Sequence, residues 1–274
     1  MDNMIKPHRW LRLSAIGAFI VMAIVMAIVV RKTPAKAIYN GYDAPFSSYR
    51  FMVSLRLAGA PNAHFCGGTL IAPDIVLTAA HCTGKKLVAV VGRNTSDWAK
   101  APRVAVVDQT EPTTSNTIQS NRDDIALVRL ANPQATPIIS MANSEPPVNA
   151  LVETAGWGCT SEPLACTKFP NALQVSHQTV LRDRDCGTSV FWKPPMFAPT
   201  SICTTNGNST INRGDSGGPL LISNGKGGFT QVGVTSLAAD NPKKLDSAFT
   251  SIPAERTWIT GAIRRLHQQG AILP

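Results

Sequence analysis

From residue 38 onward, short apolar or β-branched runs alternate with Gly, Pro, Asn and Asp. Residues 50–57, 87–91, 104–107, 220–222 and 231–235 are such runs, and they predict the short strands of an all-β barrel or sandwich. The Gly-Lys-Gly-Gly string at 225–228 lies between 220–222 and 229–232. No helix-forming stretch or GK[ST] follows it, so it reads as a hairpin turn and not as a phosphate loop. Trp258, Ile259, Ala262, Ile263 and Leu266 recur at helical spacing with Arg264, Arg265 and His267 late in the run, which predicts one helix over about 254–268. Residues 131–147 hold four prolines and no strong period. They predict a connection between two halves, about 38–143 and about 148–253.

Residues 1–37 follow a different pattern. Lys6, Arg9 and Arg12 precede an apolar run over 15–30, and a short polar region ends Ala35-Lys36-Ala37. Small residues at the two positions read by a signal peptidase make this an export segment. The competing reading is an uncleaved anchor: 13–30 spans 18 residues, at the short edge of a membrane-crossing helix, and Arg31-Lys32 would stop transfer. Both readings put 38–274 outside the cytoplasm, secreted in the first and tethered to a membrane in the second.

Charge changes meaning once the chain is divided there. The formal net charge is +9 over 274 residues, but the first 37 hold six basic side chains and one acid, leaving +4 spread over 237 residues. No basic run interleaved with aromatics remains, so nucleic acid is not an expected partner. Six cysteines, at 66, 82, 159, 166, 186 and 203, suit an oxidising compartment and predict disulfides. His64-Phe65-Cys66 and His81-Cys82 raise a metal site as the alternative, but H-x-C and H-C lack the stagger of zinc knuckles. No metal or cofactor is expected.

Three strings carry chemistry: Leu-Thr-Ala-Ala-His-Cys at 77–82, Asp-Ile-Ala-Leu at 124–127, and Gly-Asp-Ser-Gly-Gly-Pro at 214–219. Each alone could be an ordinary strand end or turn. Together they supply an imidazole, a carboxylate and a hydroxyl. In this order, with Ile-Tyr-Asn-Gly at 38–41, Cys-Gly-Gly-Thr-Leu-Ile at 66–71 and Ala-Gly-Trp-Gly at 155–158, the sequence resembles the chymotrypsin/trypsin-like serine proteases over nearly all of 38–274.

The resemblance implies two six-stranded antiparallel Greek-key β-barrels and a C-terminal helix. It also implies a triad of His81 as base, Asp124 as its orienting partner and Ser216 as nucleophile, a division of labour for which this family is itself the worked template. Asp123 is the neighbouring competitor of Asp124 and is expected to be solvated. The N–H groups of Gly214 and Ser216 would form the oxyanion hole. Asp215 would pair with a freed amino group at Ile38. Because Ala35-Lys-Ala37 directly precedes Ile38, signal cleavage alone could create that terminus. The family's bridges map onto Cys66–Cys82 and Cys186–Cys203, which leaves Cys159–Cys166.

In several respects the chain departs from its relatives. Asn212 stands where many carry a cysteine bracing the specificity pocket, which predicts a looser wall. Thr210 occupies the pocket base, where trypsin-like members place an aspartate. Ser236-Leu237-Ala238 and Ser247 form the expected walls, with Ala238 and Ser247 in place of glycines, and these narrow the slot. An uncharged, small-to-medium side chain before the scissile bond follows. Arg213, at the mouth, is either a selector of acidic substrate residues or a solvated surface arginine. The loop over 92–97, where calcium-binding relatives carry acids, has one carboxylate, too few for that ion. The expected partners are protein or peptide substrates and a proteinaceous inhibitor, and the expected state is a monomer. A secreted binding module built on the same barrels and an esterase of small esters stand as the other readings.

Overall fold

The computed structural model describes residues 38–94, 100–113, 123–161, 166–186, 200–238 and 246–270. The export-segment reading of 1–37 lies outside them. Among the described residues no helix is long and apolar enough to cross a membrane.

The strands are β1 (Tyr42–Asp43), β2 (Met52–Leu57), β3 (Cys66–Ala72), β4 (Ile75–Thr78), β5 (Leu87–Val91), β6 (Val104–Thr110), β7 (Ala126–Leu130), β8 (Ser140–Met141), β9 (Leu151–Gly156), β10 (Gln174–Val180), β11 (Ser201–Thr205), β12 (Pro219–Ser223), β13 (Phe229–Ala238) and β14 (Ser247–Ser251), followed by helix α1 (Ile252–Gly270). Strands β2-β3-β4-β7-β6-β5 close one antiparallel barrel, since β5 pairs back to β2. Strands β10-β11-β14-β13-β12-β9 close a second through the β9–β10 pairing. The two barrels and the terminal helix are the architecture that the resemblance implied. Closure leaves neither sheet a bare edge to protect.

The barrels share a core. Leu55, Leu70, Leu77 and Leu127 from the first join Trp157, Val175 and Val234 from the second and Ile252, Ile259, Ala262 and Leu266 from α1, all buried. That spacing puts one face of α1 against the barrels. A second cluster, including Val152, Val180, Ile202, Leu220, Val232 and Phe249, fills the second barrel.

The hairpin at 225–228 is as the pattern predicted. Gly225 and Gly227 take φ of 69° and 79°, and Asn224 N–H donates to Gly228 C=O at 3.0 Å, which closes the turn. The stretch 131–147 is more than a connection: within it β8 pairs in parallel with β13. A two-residue strand flanked by prolines carries too short a pattern to read from sequence. All three cysteine pairs are disulfides, Cys66–Cys82, Cys159–Cys166 and Cys186–Cys203, with Cα–Cα separations of 6.2, 5.7 and 5.8 Å.

Candidate active site

His81 sits in the single turn of 3-10 helix (Ala80–Cys82) that follows β4, with its neighbour Cys82 anchored to β3. Its side chain is 43% exposed while its Nδ1–H donates to Asp124 Oδ2 at 2.8 Å, and its backbone N–H donates to Asp124 Oδ1 at 3.0 Å. Asp124 is buried, just before β7. Ser236 Oγ donates to the same Oδ2 at 2.6 Å, and Thr250 Oγ1 donates to the Asp124 carbonyl at 2.9 Å. Burial pushes the Asp124 carboxyl up, but the hydrogen bonds from His81 and Ser236 and the His81 charge outweigh it, holding the group below its usual range.

Ser236 was expected as pocket wall; the structure also turns its hydroxyl onto Asp124. The β13–β14 register explains this. Thr235 pairs with Phe249 and Leu237 with Ala248, so Ser236 is the extra residue of a bulge, and a bulge re-aims a side chain.

Asp123 differs from its expected solvated state. It is half-buried, adopts a left-handed φ of 57°, and shares a hydrogen bond with Glu255 of α1.

Ser216 lies on the turn before β12. Gly67 N–H of β3 donates to Ser216 C=O at 2.7 Å. A Cβ on Gly217 (φ 78°) would collide with Thr78 Oγ1 and Gly67 C=O. The serine turn is therefore pressed against the end of β4, three residues before His81.

Nearly every N–H of this turn is used. Those of Asn212 and Arg213 bond to Asp215 Oδ2 and Asn212 Oδ1 at 2.8 Å. Those of Asp215, Gly217 and Gly218 bond to the carbonyls of Asn212, Thr235 and Asp215. Between Asn212 and Gly218 the N–H groups of Gly214 and Ser216 are the ones without an acceptor among the described residues. Gly214 reaches this conformation at φ 97°, which a side chain would resist.

Sequence reasoning missed what holds the turn from behind. His64, weighed only as a metal ligand, is half-buried with Nδ1 2.8 Å from Ser54 Oγ and Nε2 2.8 Å from Gly214 C=O. Burial is the main cause that lowers its pKa to about 4. It is thus neutral, donating from Nε2 to Gly214 and accepting from Ser54. The partner sulfur that the metal alternative needed at Cys66 is bonded to Cys82.

Asn212, where the expected bracing cysteine is missing, is buried, and its Nδ2 donates to the carbonyls of Cys159 and Ser161 at 3.0 and 2.8 Å, so its amide ties the serine turn to 159–161.

Asp215 is wholly buried and receives N–H groups from Gly158 and Asn212, both at 2.8 Å. Burial nevertheless raises its pKa to about 7. A Cβ at Gly156 or Gly158 would overlap this carboxylate, which accounts for both glycines of the Gly-Trp-Gly string. Ile38 is also fully buried at φ 56°, and the next residue, Tyr39, bridges to Thr210.

At the expected pocket base, Thr210 and Ser247 are completely buried, with their hydroxyls 3.0 Å apart. Ser247 Oγ also accepts from Gln178 Nε2 at 3.3 Å and from Ile211 N–H at 3.4 Å, while Thr204 Oγ1 donates to Gln178 Oε1. Leu237 and Ala238 flank this floor on β13, partly buried, and Ala238 pairs with Ser247. Arg213 is exposed.

The family model described as Trypsin matches residues 38–259. The chain belongs to the trypsin family of serine proteases. Serine protease SSP1 of Scolopendra subspinipes is 31% identical over 244 residues, 81% of this chain and 82% of that protein. Trypsin theta of Drosophila erecta is 29% identical over 238 residues, 84% of this chain and 87% of its own. Among solved structures, mouse neuropsin, a serine protease of the limbic system, superimposes with a TM-score of 0.71 at 25% identity, covering 82% of this chain and all of that one. This trypsin-family chain therefore has the chymotrypsin fold, and its family acts on protein or peptide substrates.

Proposed function

We propose that the protein is a secreted serine endopeptidase that cleaves through an acyl-enzyme, with Ser216 as nucleophile, His81 as general base and Asp124 as orienting carboxylate. The observation that carries this reading is the pair of unbonded N–H groups at Gly214 and Ser216, beside a histidine already bonded to a buried carboxylate. A serine hydroxyl needs a base to be nucleophilic. The tetrahedral oxyanion needs donors held in place beforehand, each worth about 2.7–4 kcal/mol. With Nδ1–H committed to Asp124, the imidazole keeps Nε2 free to take the Ser216 proton and return it to the leaving amine.

The floor supports an uncharged, small-to-medium residue before the scissile bond. Ser247 already accepts two N–H groups and shares a third contact with Thr210. Neither Thr210 nor Ser247 supplies the negative charge that would bind Arg or Lys. Arg213, exposed beside Gly214, would face acidic residues of a substrate. Export with cleavage after Ala37 would free the Ile38 amino group for Asp215, so the enzyme would be active once secreted. It would act as a monomer open to proteinaceous inhibitors.

A fluorophosphonate should label the wild type and not Ser216→Ala. A processed wild type that stays unlabelled would refute the nucleophile, and a peptide-library profile dominated by Arg or Lys would refute the pocket. N-terminal sequencing of the exported protein should begin at Ile38.

A further inference from the structure

Asp124 does not hang from a regular strand. Its predecessor Asp123 has a left-handed φ of 57°, and Ile125 N–H donates to Asp123 C=O at 2.7 Å. The chain therefore makes a tight three-residue turn with Asp124 at its apex. The Asp123 side chain is hydrogen-bonded to Glu255, in the first turn of α1 and almost fully buried. Both acids line one cavity of about 500 Å³, with Glu111, Trp258 and Arg265 among its other walls.

Two carboxyl groups in hydrogen-bond contact must share a proton, because neither carboxylate can donate. The helix N-terminus would by itself favour an anion at 255; burial, and then the bond and charge of Asp123, oppose it and raise Glu255 to about 7. Among the described residues, four other charged groups lie near the pair. Glu111 accepts from Thr83 Oγ1 at 2.8 Å. Arg265 faces the cavity from α1. Arg256 turns away, donating to the carbonyls of Met141 and Ala142. Asp124 is directed at His81 and Ser236.

We propose that Asp123 and Glu255 form a proton-sharing carboxyl pair that positions the Asp124 turn, so that loss of the shared proton loosens the Asp124–His81 hydrogen bond and slows acylation. Asp123 and Glu255 are positioning residues; neither touches substrate. The inference rests on Asp124 orienting His81. With the proton present the pair carries one charge and a hydrogen bond that holds the turn. Without it, like charges on the buried Glu255 and the half-buried Asp123 push Asp123 away from α1, and Asp124 follows through the peptide bond.

The test is the rate of Ser216 labelling by a small fluorophosphonate, measured from pH 5.5 to 9 on the full-length chain expressed with its own leader. Wild type should show a descending step near pH 7, of at least about fivefold, the lower end of typical coupling between sites. Glu255→Gln donates an amide N–H at every pH and should remove the step while matching wild type at pH 6. Asp123→Asn, which donates to an ionised Glu255, should remove it too, and serves if Glu255→Gln fails to fold. Glu255→Ala should label slowly at all pH values, with no step. Superimposable profiles for wild type and a folded Gln or Asn variant overturn the proposal. Failure of the catalytic reading looks different: correctly processed wild type would not label at all, or Ser216→Ala would label equally.

Discussion

Asp215 offers the sharpest test of how this chain becomes active. While residue 37 remains attached to Ile38, the Asp215 carboxyl is fully buried and its pKa is raised from 3.8 to about 7, chiefly by burial. That is roughly 3 units at about 1.4 kcal/mol each, or about 4 kcal/mol. The folded-state pKa is raised, so the associated stability is complete below the unfolded value near 4 and is lost as pH rises through 7. Residues 38–274 carrying a short polar tag ahead of Ile38 should therefore melt progressively lower between about pH 4 and 7. A Glu255→Gln background removes the overlapping titration of that residue.

Asp215→Asn should flatten the curve. It carries its own cost of about 1–3 kcal/mol, because both carboxylate oxygens accept N–H groups, from Gly158 and Asn212, and an amide must turn a donor onto one of them. Removing the tag to expose Ile38 should reverse the wild-type slope, since an ammonium partner depresses the carboxyl and makes low pH the destabilising side. In that processed form Asp215→Asn leaves a buried ammonium unpaired, a loss of about 3–5 kcal/mol, or roughly 10²- to 4 × 10³-fold in labelling of Ser216. A tagged chain with no pH slope that Asp215→Asn removes, or tag removal that leaves the slope unchanged, would refute this reasoning.

Other substitutions probe the remaining contacts. Ser236→Ala removes the 2.6 Å bond to Asp124 Oδ2; such a charge-assisted bond is worth about 1.5–3 kcal/mol. The acid limb of the kcat/KM profile should then move to higher pH, and an unchanged limb would show that the bulge at 236 is incidental. Thr210→Asp should lower the melting temperature without creating Arg or Lys cleavage, because the new charge would meet Ser247 within a fully buried floor; efficient cleavage after Lys would mean the floor is open. Asn212→Ala loses the bonds to the Cys159 and Ser161 carbonyls and should cost about 1–3 kcal/mol in thermal unfolding, with less than about 0.5 kcal/mol indicating that the turn is braced elsewhere.

How far the residues alone carried the reading depended on range. The hairpin at 225–228 and the face of α1 formed by Ile259, Ala262 and Leu266 are written in local periodicity. The strings around His81, Asp124 and Ser216 are equally local, because a tight serine turn needs its glycines next to it. Contacts that join distant segments left no such trace. His64 spans 150 residues to reach the Gly214 carbonyl, and Ser236 spans 112 to reach Asp124. Ser236 does so through a bulge that no alternation of apolar and polar residues announces. Asp123 next to Asp124 looked like a surface acid because its partner, Glu255, lies at the far end of the chain.

Among the described residues, four other than glycine have positive φ: Ile38, Asn40, Asp123 and Asn149. Three are Asn or Asp, which tolerate it; Ile38 is β-branched and does not, at a cost of about 1–2 kcal/mol. A φ angle requires a preceding carbonyl carbon. The first residue of a chain has none. In the processing proposed above, the cut before Ile38 would abolish the strained torsion itself. The intact chain would be a loaded spring whose catch is a single peptide bond. Its release would tilt the protein toward the working state before the new ammonium had met any carboxylate.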